Sequence, residues 1–385
     1  MEEHLKTIGY LIFAGFYYLY RLFCPADPKK VFCIMTHDPG RDGNVFALVE
    51  YLKQQKEGFV FRYIGKADSG NAKSLRIMRG KLSFFIVKPY HLATASYILL
   101  DNVFMPMAYI RFRKGVKLIQ LWHGTGTIKR FGQDVNSGRL AKLEKRANSR
   151  LTHLIVSSDS TKAIYAGAFG VSKDRVYTYG LPRTDILFDR QRLLDRSVDF
   201  YRQYPQLAGK RLILYAPTFR DNEKGESRAI SDIYKISRSL PDYTILLRLH
   251  PHVAKAFAQA ELKAAEKSEN LVSVSSYPDI NTLLIVADCL ITDYSSIIFE
   301  YCLLNKPMIF YAYDLEEFSK KGRGFYRDYI EYVPGPVVRN IDDLVALIRN
   351  NQLTTDKLQD FVTEHYKYLD GHSCERIYRN IFARQ

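Results

Sequence analysis

CLITDYSSIIFEYCLLNKPMIFY, Cys289 to Tyr311, reads as strand, turn, helix and strand in immediate succession. CLIT (289–292) is a short apolar run, and the turn after Thr292 carries Asp293, Ser295 and Ser296. Ser296–Leu303 has helical spacing, and PMIFYA (307–312) is apolar again. Two strands joined by a helix are most simply parallel neighbours in one sheet. The rhythm extends outward on both sides. RLILYA (211–216), TILLRL (244–249) and LVSV (271–274) are strand-like, whereas Val253–Lys267 and Asp342–Asn350 are predicted helices.

The first half repeats the pattern. VFCIMT (31–36) leads into the loop HDPGRDG and an amphipathic stretch, Val45–Leu52. Further strands are expected at Phe59–Ile64, Phe84–Val87, Tyr97–Leu100, Lys117–Leu121, Leu154–Ser157 and Val176–Tyr179, with a helix over Asp159–Ala168. The alternation implies an α/β protein whose parallel sheets are covered by helices on both faces. Around Asp199–Lys210 the composition turns polar, with Pro205 and Gly209, so a domain boundary is expected there. The expected division is 1–28, 29–205 and 206–385. Ligands of open parallel sheets bind at the carboxyl ends of the strands. Two such units facing one another are expected to enclose a cleft lined by those ends.

Composition agrees with two domains: 385 residues, 47% of them apolar and 25% charged, is the balance of a folded globular chain. Lys and Arg number 56 against 41 Asp and Glu, a net charge of +15. Such an excess suggests a polyanionic neighbour: nucleic acid, an anionic membrane surface or phosphorylated substrates. Helix-turn-helix, RRM and zinc-finger patterns are absent and the basic residues are spread through both halves, which argues against nucleic acid. The five cysteines, at 24, 33, 289, 302 and 374, show no CxxC and no metal spacing, so reduced thiols in a cytoplasmic compartment are expected.

The N-terminus is apolar and aromatic. IGYLIFAGFYYLY (8–20), then Arg21 and LFC, would span about 25 Å as a helix, short of the roughly 30 Å hydrocarbon core. A positive leader and an A-x-A site are missing. Tyrosines and an arginine suit the headgroup level, so the preferred reading is a helix lying on the membrane surface, followed by a hinge at Pro25–Pro28. A buried first helix and a true span are the alternatives.

Four strand-end segments carry the candidate chemistry. In LWHGTGTIKRFG (121–132), His123 emerges after a strand, beside Trp122 and between Gly124 and Gly126, where the backbone can approach a ligand closely. An imidazole there suits a general base, and Lys129 and Arg130 add positive charge; the alternative is a histidine that only bonds loop backbone. In LYAPTFRDN (214–222), Thr218 and Arg220 can donate to phosphate oxygens, unless Arg220 is a solvated surface residue. In LLRLHPHV (246–253), Arg248 and His250 alternate onto one side of a strand stopped by Pro251, and His250 is either a site residue or a strand cap. In the opening stretch, Ser295 and Ser296 at a helix start suit an anion, and Glu300 one turn on suits ribose hydroxyls or an amino group; an ordinary N-cap is the alternative. A fifth piece, KGRGFYRDY (321–329) with Asp328, reads only as a basic loop. With no DxD, HExxH or EF-hand loop, a reaction without metal or cofactor is expected, Arg, His and helix N-termini supplying the positive field.

Together WHGTGTIKRFG, APTFRD, RLHP and ITDYSSIIFEYCLLNKPMIFY resemble the CDP-glycerol:glycerophosphotransferase family of Gram-positive wall teichoic acid synthesis, in four ordered blocks from Lys117 to Pro336. The resemblance implies a GT-B-like fold of two Rossmann-like domains, an acceptor domain followed by a donor domain. It also implies CDP-glycerol as donor and an undecaprenyl-diphosphate-linked GlcNAc–ManNAc acceptor at the cytoplasmic membrane face. Carried over, His123 looks like the base that deprotonates the acceptor hydroxyl, and His250 like the second histidine, on the pyrophosphate. Arg183 in GLPRTD looks like a donor-phosphate contact. Trp122, Gly124, Thr125, Thr218, Arg220, Arg248, Ser295, Ser296 and Asp328 fall on donor-binding positions, and Glu300 looks like the ribose or cytosine partner. Chain length resembles the short priming enzymes, whereas Trp122–His123–Gly124 is nearer the polymerase form. A CDP-ribitol donor, a chain-extending activity and a nucleotide-sugar glycosyltransferase are the rival readings. THDPGRDGN (36–44) matches no motif of the family and is a candidate for acceptor contact.

Overall fold

The computed structural model describes residues 2–37, 43–65, 75–218, 220, 228–249 and 268–383. His250 and the expected helix Val253–Lys267 lie outside the described residues, as does most of the HDPGRDG loop. The chain forms two compact units. The first comprises Met1–Gly124, Phe131–Asp185 and Tyr366–Gln385; the second comprises Thr125–Arg130 and Ile186–His365.

The first unit holds six parallel strands in the order β2-β1-β3-β4-β5-β6. They are β1 (Asp27–Met35), β2 (Val60–Gly65), β3 (Ala95–Leu100), β4 (Lys117–Gln120), β5 (His153–Val156) and β6 (Val176–Thr178). Its main helices are α1 (Glu2–Phe23), α2 (Asn44–Gln54), α3 (Leu75–Ala93), α4 (Gly138–Asn148) and α5 (Lys162–Phe169). Strands buried on both faces read as continuous apolar runs, and alternate residues serve opposite layers. Phe32, Ile34, Ile98, Leu100 and Leu154 meet Phe13 and Tyr17 of α1 and Leu92 of α3 on one face. Val31, Cys33, Leu99, Ile119 and Ile155 meet Val45, Leu48 and Leu52 of α2 on the other, joined by Ile377, Ile381 and Phe382 from the end of the chain.

The second unit also holds six parallel strands, in the order β12-β11-β10-β7-β8-β9. They are β7 (Arg211–Ala216), β8 (Tyr243–Leu247), β9 (Leu271–Ser273), β10 (Cys289–Thr292), β11 (Met308–Tyr311) and β12 (Val337–Val338). Its helices include α6 (Arg190–Gln203) and α7 (Arg228–Ser239). One core face gathers Ile213, Tyr215, Ile245, Leu247, Ile291, Ile309 and Tyr311 against Ile230, Ile233 and Ile236 of α7.

Four expectations change. Phe84–Val87 is not a strand but part of α3; a four-residue apolar run has no period to separate strand from helix, and the Phe84 ring packs 5.3 Å from that of Phe13. The unit boundary falls after Asp185 and not near 205, because the polar run there belongs to α6, a surface helix that buries only Phe200 along its length. The last residues return to the first unit and complete its core, which a linear division misses. The hinge is also short, since β1 already starts at Asp27.

Helix α1 is half buried. Phe13, Ala14 and Tyr17 face the core, whereas Leu5, Ile8, Leu11, Ile12, Leu19, Leu22 and Phe23 are exposed, Leu22 at 77%. Arg113 seats its end by donating to the carbonyls of Arg21 and Cys24, and to Ala93 at the end of α3. Among the described residues no helix is long and apolar enough to cross a membrane.

Candidate active site

In a doubly wound sheet the crevice opens where strand order reverses. In the first unit β2 lies on one side of β1 while β3 and its successors lie on the other, so the reversal falls between β1 and β3. In the second unit it falls between β7 and β10. Residues following these strands are therefore the ones to examine.

After β4 the backbone turns sharply at Trp122, whose φ of 55° is left-handed. That conformation costs a bulky L-residue about 1–2 kcal/mol and persists only where neighbours over-determine it. The Trp122 N–H donates to Gln120 Oε1 at 2.9 Å, and Asn44 Nδ2 donates to the carbonyls of both Leu121 and Trp122 at 3.1 Å. The indole packs on Phe131 and on the edge of Phe169. Asn44 Oδ1 in turn accepts the Arg183 N–H at 3.0 Å, and the Arg183 guanidinium donates to the His123 carbonyl at 2.8 Å. One buried amide thus joins α2, the β4 turn and the 183 loop. Gly124 accepts a hydrogen bond from Tyr165 Oη.

His123 Nδ1 lies 2.9 Å from the Asp101 carbonyl. A carbonyl only accepts, so Nδ1 carries the hydrogen in the neutral ring and Nε2 carries the basic lone pair. Asp101 ends β3; its carboxylate is buried and accepts the N–H groups of Thr36 (2.9 Å) and His37 (3.0 Å). The His37 ring stacks on His123 with centroids 3.5 Å apart and planes 26° from parallel.

The second unit's reversal point is arranged differently. Arg220 donates through Nε and Nη2 to Asp314 (2.6 and 3.0 Å), through Nη2 to Asp293 (2.8 Å) and through Nη1 to the Thr218 carbonyl (2.8 Å). Its guanidinium also lies over the rings of Tyr294 and Phe318, 4.9 Å from each centroid. Burial opposes the charge, but Asp293 and Asp314 outweigh it and hold the Arg220 pKa above the ordinary arginine value. Expected as a phosphate donor, Arg220 is here committed to carboxylates that come from β10 and β11. The Thr218 N–H donates to Asp293 Oδ1 at 2.7 Å, and Thr218 Oγ1 is buried with no hydrogen-bond partner among the described residues.

Lys129 approaches the same turn. Its segment bridges Phe325, with Arg130 N–H donating to the Gly324 carbonyl and Tyr326 N–H to that of Ile128, so the KGRGFYRDY loop packs on residues 125–130. Burial pushes the Lys129 ammonium down to about 8, against the pull of Asp293 and with the push of Arg323 and Arg220.

Other expected residues divide between the turn and the frame. Ser295 Oγ accepts the Ile297 N–H at 3.4 Å, and Ser296 precedes the Ile297–Tyr301 helix without a side-chain cap bond. Glu300 is buried and accepts from Thr125 Oγ1 at 2.6 Å, which ties this helix to the 125–130 segment. Gly126 has φ +71°, and a Cβ there would sit 1.9 Å from the Phe299 ring. Arg248 follows β8, and its Nη1 donates to the carbonyls of Val274, Ser275 and Tyr277 in the turn after the parallel neighbour β9. Asp328 caps the Tyr329–Tyr332 helix, accepting from Ile330 and Glu331. His37, Asn44, Asp101 and Asp314 were missed in the sequence; the first two lie in the unmatched THDPGRDGN stretch. Among the described residues no group of three or more His, Cys, Asp or Glu side chains could hold a metal ion.

The chain is thus two α/β units, each with polar groups after the strands at its reversal point. The chain belongs to the CDP-Glycerol:Poly(glycerophosphate) glycerophosphotransferase family, whose sequence model matches residues 16–383. It is 30% identical to the teichoic acid ribitol-phosphate primase of Bacillus spizizenii W23, over 98% of this chain and 97% of the relative. It is 34% identical to the teichoic acid poly(ribitol-phosphate) polymerase of the same strain, over its whole length but only 61% of that polymerase. Among solved structures, the wall teichoic acid polymerase TagF matches with a TM-score of 0.80 and 26% identity, covering 98% of this chain and 95% of that one. Another TagF structure is of a variant soaked with CDPG.

Proposed function

We propose that this protein transfers a polyol phosphate from a CDP-activated donor to a lipid-linked saccharide, releasing CMP. The observation that carries the reading is the His123–Asp101 hydrogen bond at the first unit's reversal point, which sets the imidazole as a base through Nε2. The acceptor hydroxyl gives its proton to His123. Its oxygen then bonds to the donor's β-phosphorus as the bond from that phosphorus to the bridging oxygen breaks, and CMP leaves. Charge gathers on the phosphoryl oxygens, so fixed cations and donors aimed at them supply most of the acceleration. Lys129, Thr218, Ser295 and Ser296 are proposed for the donor in the second unit and Arg183 in the first, with His250 as the second histidine. Arg220 and Arg248 act by holding the donor turns, and Glu300 through Thr125.

CDP-glycerol is the donor of the first reading, with an undecaprenyl-diphosphate-linked GlcNAc–ManNAc acceptor. CDP-ribitol is the second, supported by the full-length likeness to a ribitol-phosphate primase. The exposed apolar stripe of α1, flanked by Lys6 and Arg21, is proposed to lie on the anionic cytoplasmic membrane surface, where the acceptor resides. The test is CMP release from each donor with the lipid-linked disaccharide, products being resolved by mass. One added unit identifies a primer and several an extension enzyme; silence with both donors would refute the reading.

A further inference from the structure

THDPGRDGN matched no motif, yet its histidine lies against the proposed base. We propose that His37 is a positioning residue for His123, setting the plane of its ring; this rests on the base assignment proposed above.

Asp101 restrains both histidines from one strand end. Its carboxylate holds the His37 backbone at 3.0 Å, and its carbonyl takes the His123 Nδ1 hydrogen at 2.9 Å. Strand order explains why one residue can do this, since β3 lies between β1, which leads to His37, and β4, which leads to His123. The carbonyl bond alone leaves the imidazole able to swivel about the Nδ1–H···O direction, which swings the Nε2 lone pair off its target. A stacked ring 3.5 Å away removes that freedom. Trp122, 4.0 Å from the same imidazole, bounds it as well and is itself pinned by Gln120 and Asn44. A general base acts only when held within about 10–20° of its productive direction, and misplacement by about 1 Å can cost 10²-fold. As His123 takes the acceptor's proton it becomes a cation, with the His37 ring stacked on its face. His37 therefore acts on turnover more than on donor binding.

The test uses the full chain, the lipid-linked acceptor and whichever of CDP-glycerol and CDP-ribitol releases CMP. His37→Ala is expected to lower kcat by about 10–100-fold with the donor KM within about twofold, as misorientation of a base does. His37→Phe, which keeps a flat ring, is expected to restore most of that loss. In a His123→Ala background His37→Ala adds no further loss. Near-normal kcat in His37→Ala, while His123→Ala is inactive, would overturn the inference and leave the base assignment standing. Loss of kcat in His37→Ala with no rescue by Phe, or an equal further loss in the His123→Ala background, would also overturn it. Near-normal turnover in His123→Ala would remove the base assignment and this inference with it.

Discussion

The two reversal points use charge in opposite ways. At the turn after β4 an imidazole is oriented by a carbonyl, an amide joins three segments and an indole sits in a strained backbone, while the charged Asp101 and Arg183 bond backbone groups. At the turn after β10 the groups are ionic, with Arg220 closed between Asp293 and Asp314 and the Lys129 ammonium close by. An aimed imidazole suits proton removal from an acceptor, and a rigid ionic turn suits holding a charged donor. The comparison shows that a strand-end arginine can serve to hold its own turn together.

If Arg220 is the frame of the donor turn, removing it should cost stability first. Arg220→Met leaves two largely buried carboxylates facing one another, and a loss of about 3–5 kcal/mol is expected, read as a lowered midpoint in denaturant. An unchanged midpoint with a raised donor KM would return Arg220 to direct phosphate contact. Gly126→Ala should come next. The left-handed backbone and the Phe299 ring together make about 2–4 kcal/mol of destabilisation the expected result, and in a Phe299→Ala background the added cost of Gly126→Ala should fall to the backbone part alone.

The exposed stripe of α1 belongs to the same unit as the base but not to its core. Leu11→Glu with Leu22→Glu should leave the melting temperature near that of the parent and weaken binding to anionic vesicles by at least about tenfold. Unaltered vesicle binding would remove the membrane role. The smallest effect concerns pH. Lys129 has a pKa of about 8 in the fold against 10.5 when unfolded, so between these values the unfolded chain binds more protons and stability should rise with pH. Donor affinity should move the other way, because only the ammonium attracts a diphosphate; the donor KM should rise above pH 8, and Lys129→Met should flatten both trends.

Much of the fold was legible because buried parallel strands are continuous apolar runs; RLILYA and CLIT coincide with β7 and β10 residue for residue. Phe84–Val87 failed for the same reason in reverse, since four apolar residues fit either element. Within the site, strand-end position singled out His123, Thr218 and the serines. What it could not convey was pairing across distance. Asp314 lies 94 residues from Arg220 and reaches it only because β11 and β7 flank β10. Likewise strand alternation placed Arg248 at a strand end but gave no sign that its Nη1 bonds three carbonyls of the turn after β9. His37 was noticed only as part of the unusual THDPGRDGN stretch and Asp101 not at all, because their pairing lies in the adjacency of β1, β3 and β4, which no local pattern records.

The central claim is that His123 is the general base of the proposed transfer. The most direct measurement is acceptor-dependent CMP release by His123→Ala, with donor affinity and melting temperature determined on the same preparation. The expected result is a loss of turnover of about 10²–10⁴-fold with donor affinity and melting temperature close to the parent's. Turnover near that of the parent would contradict it.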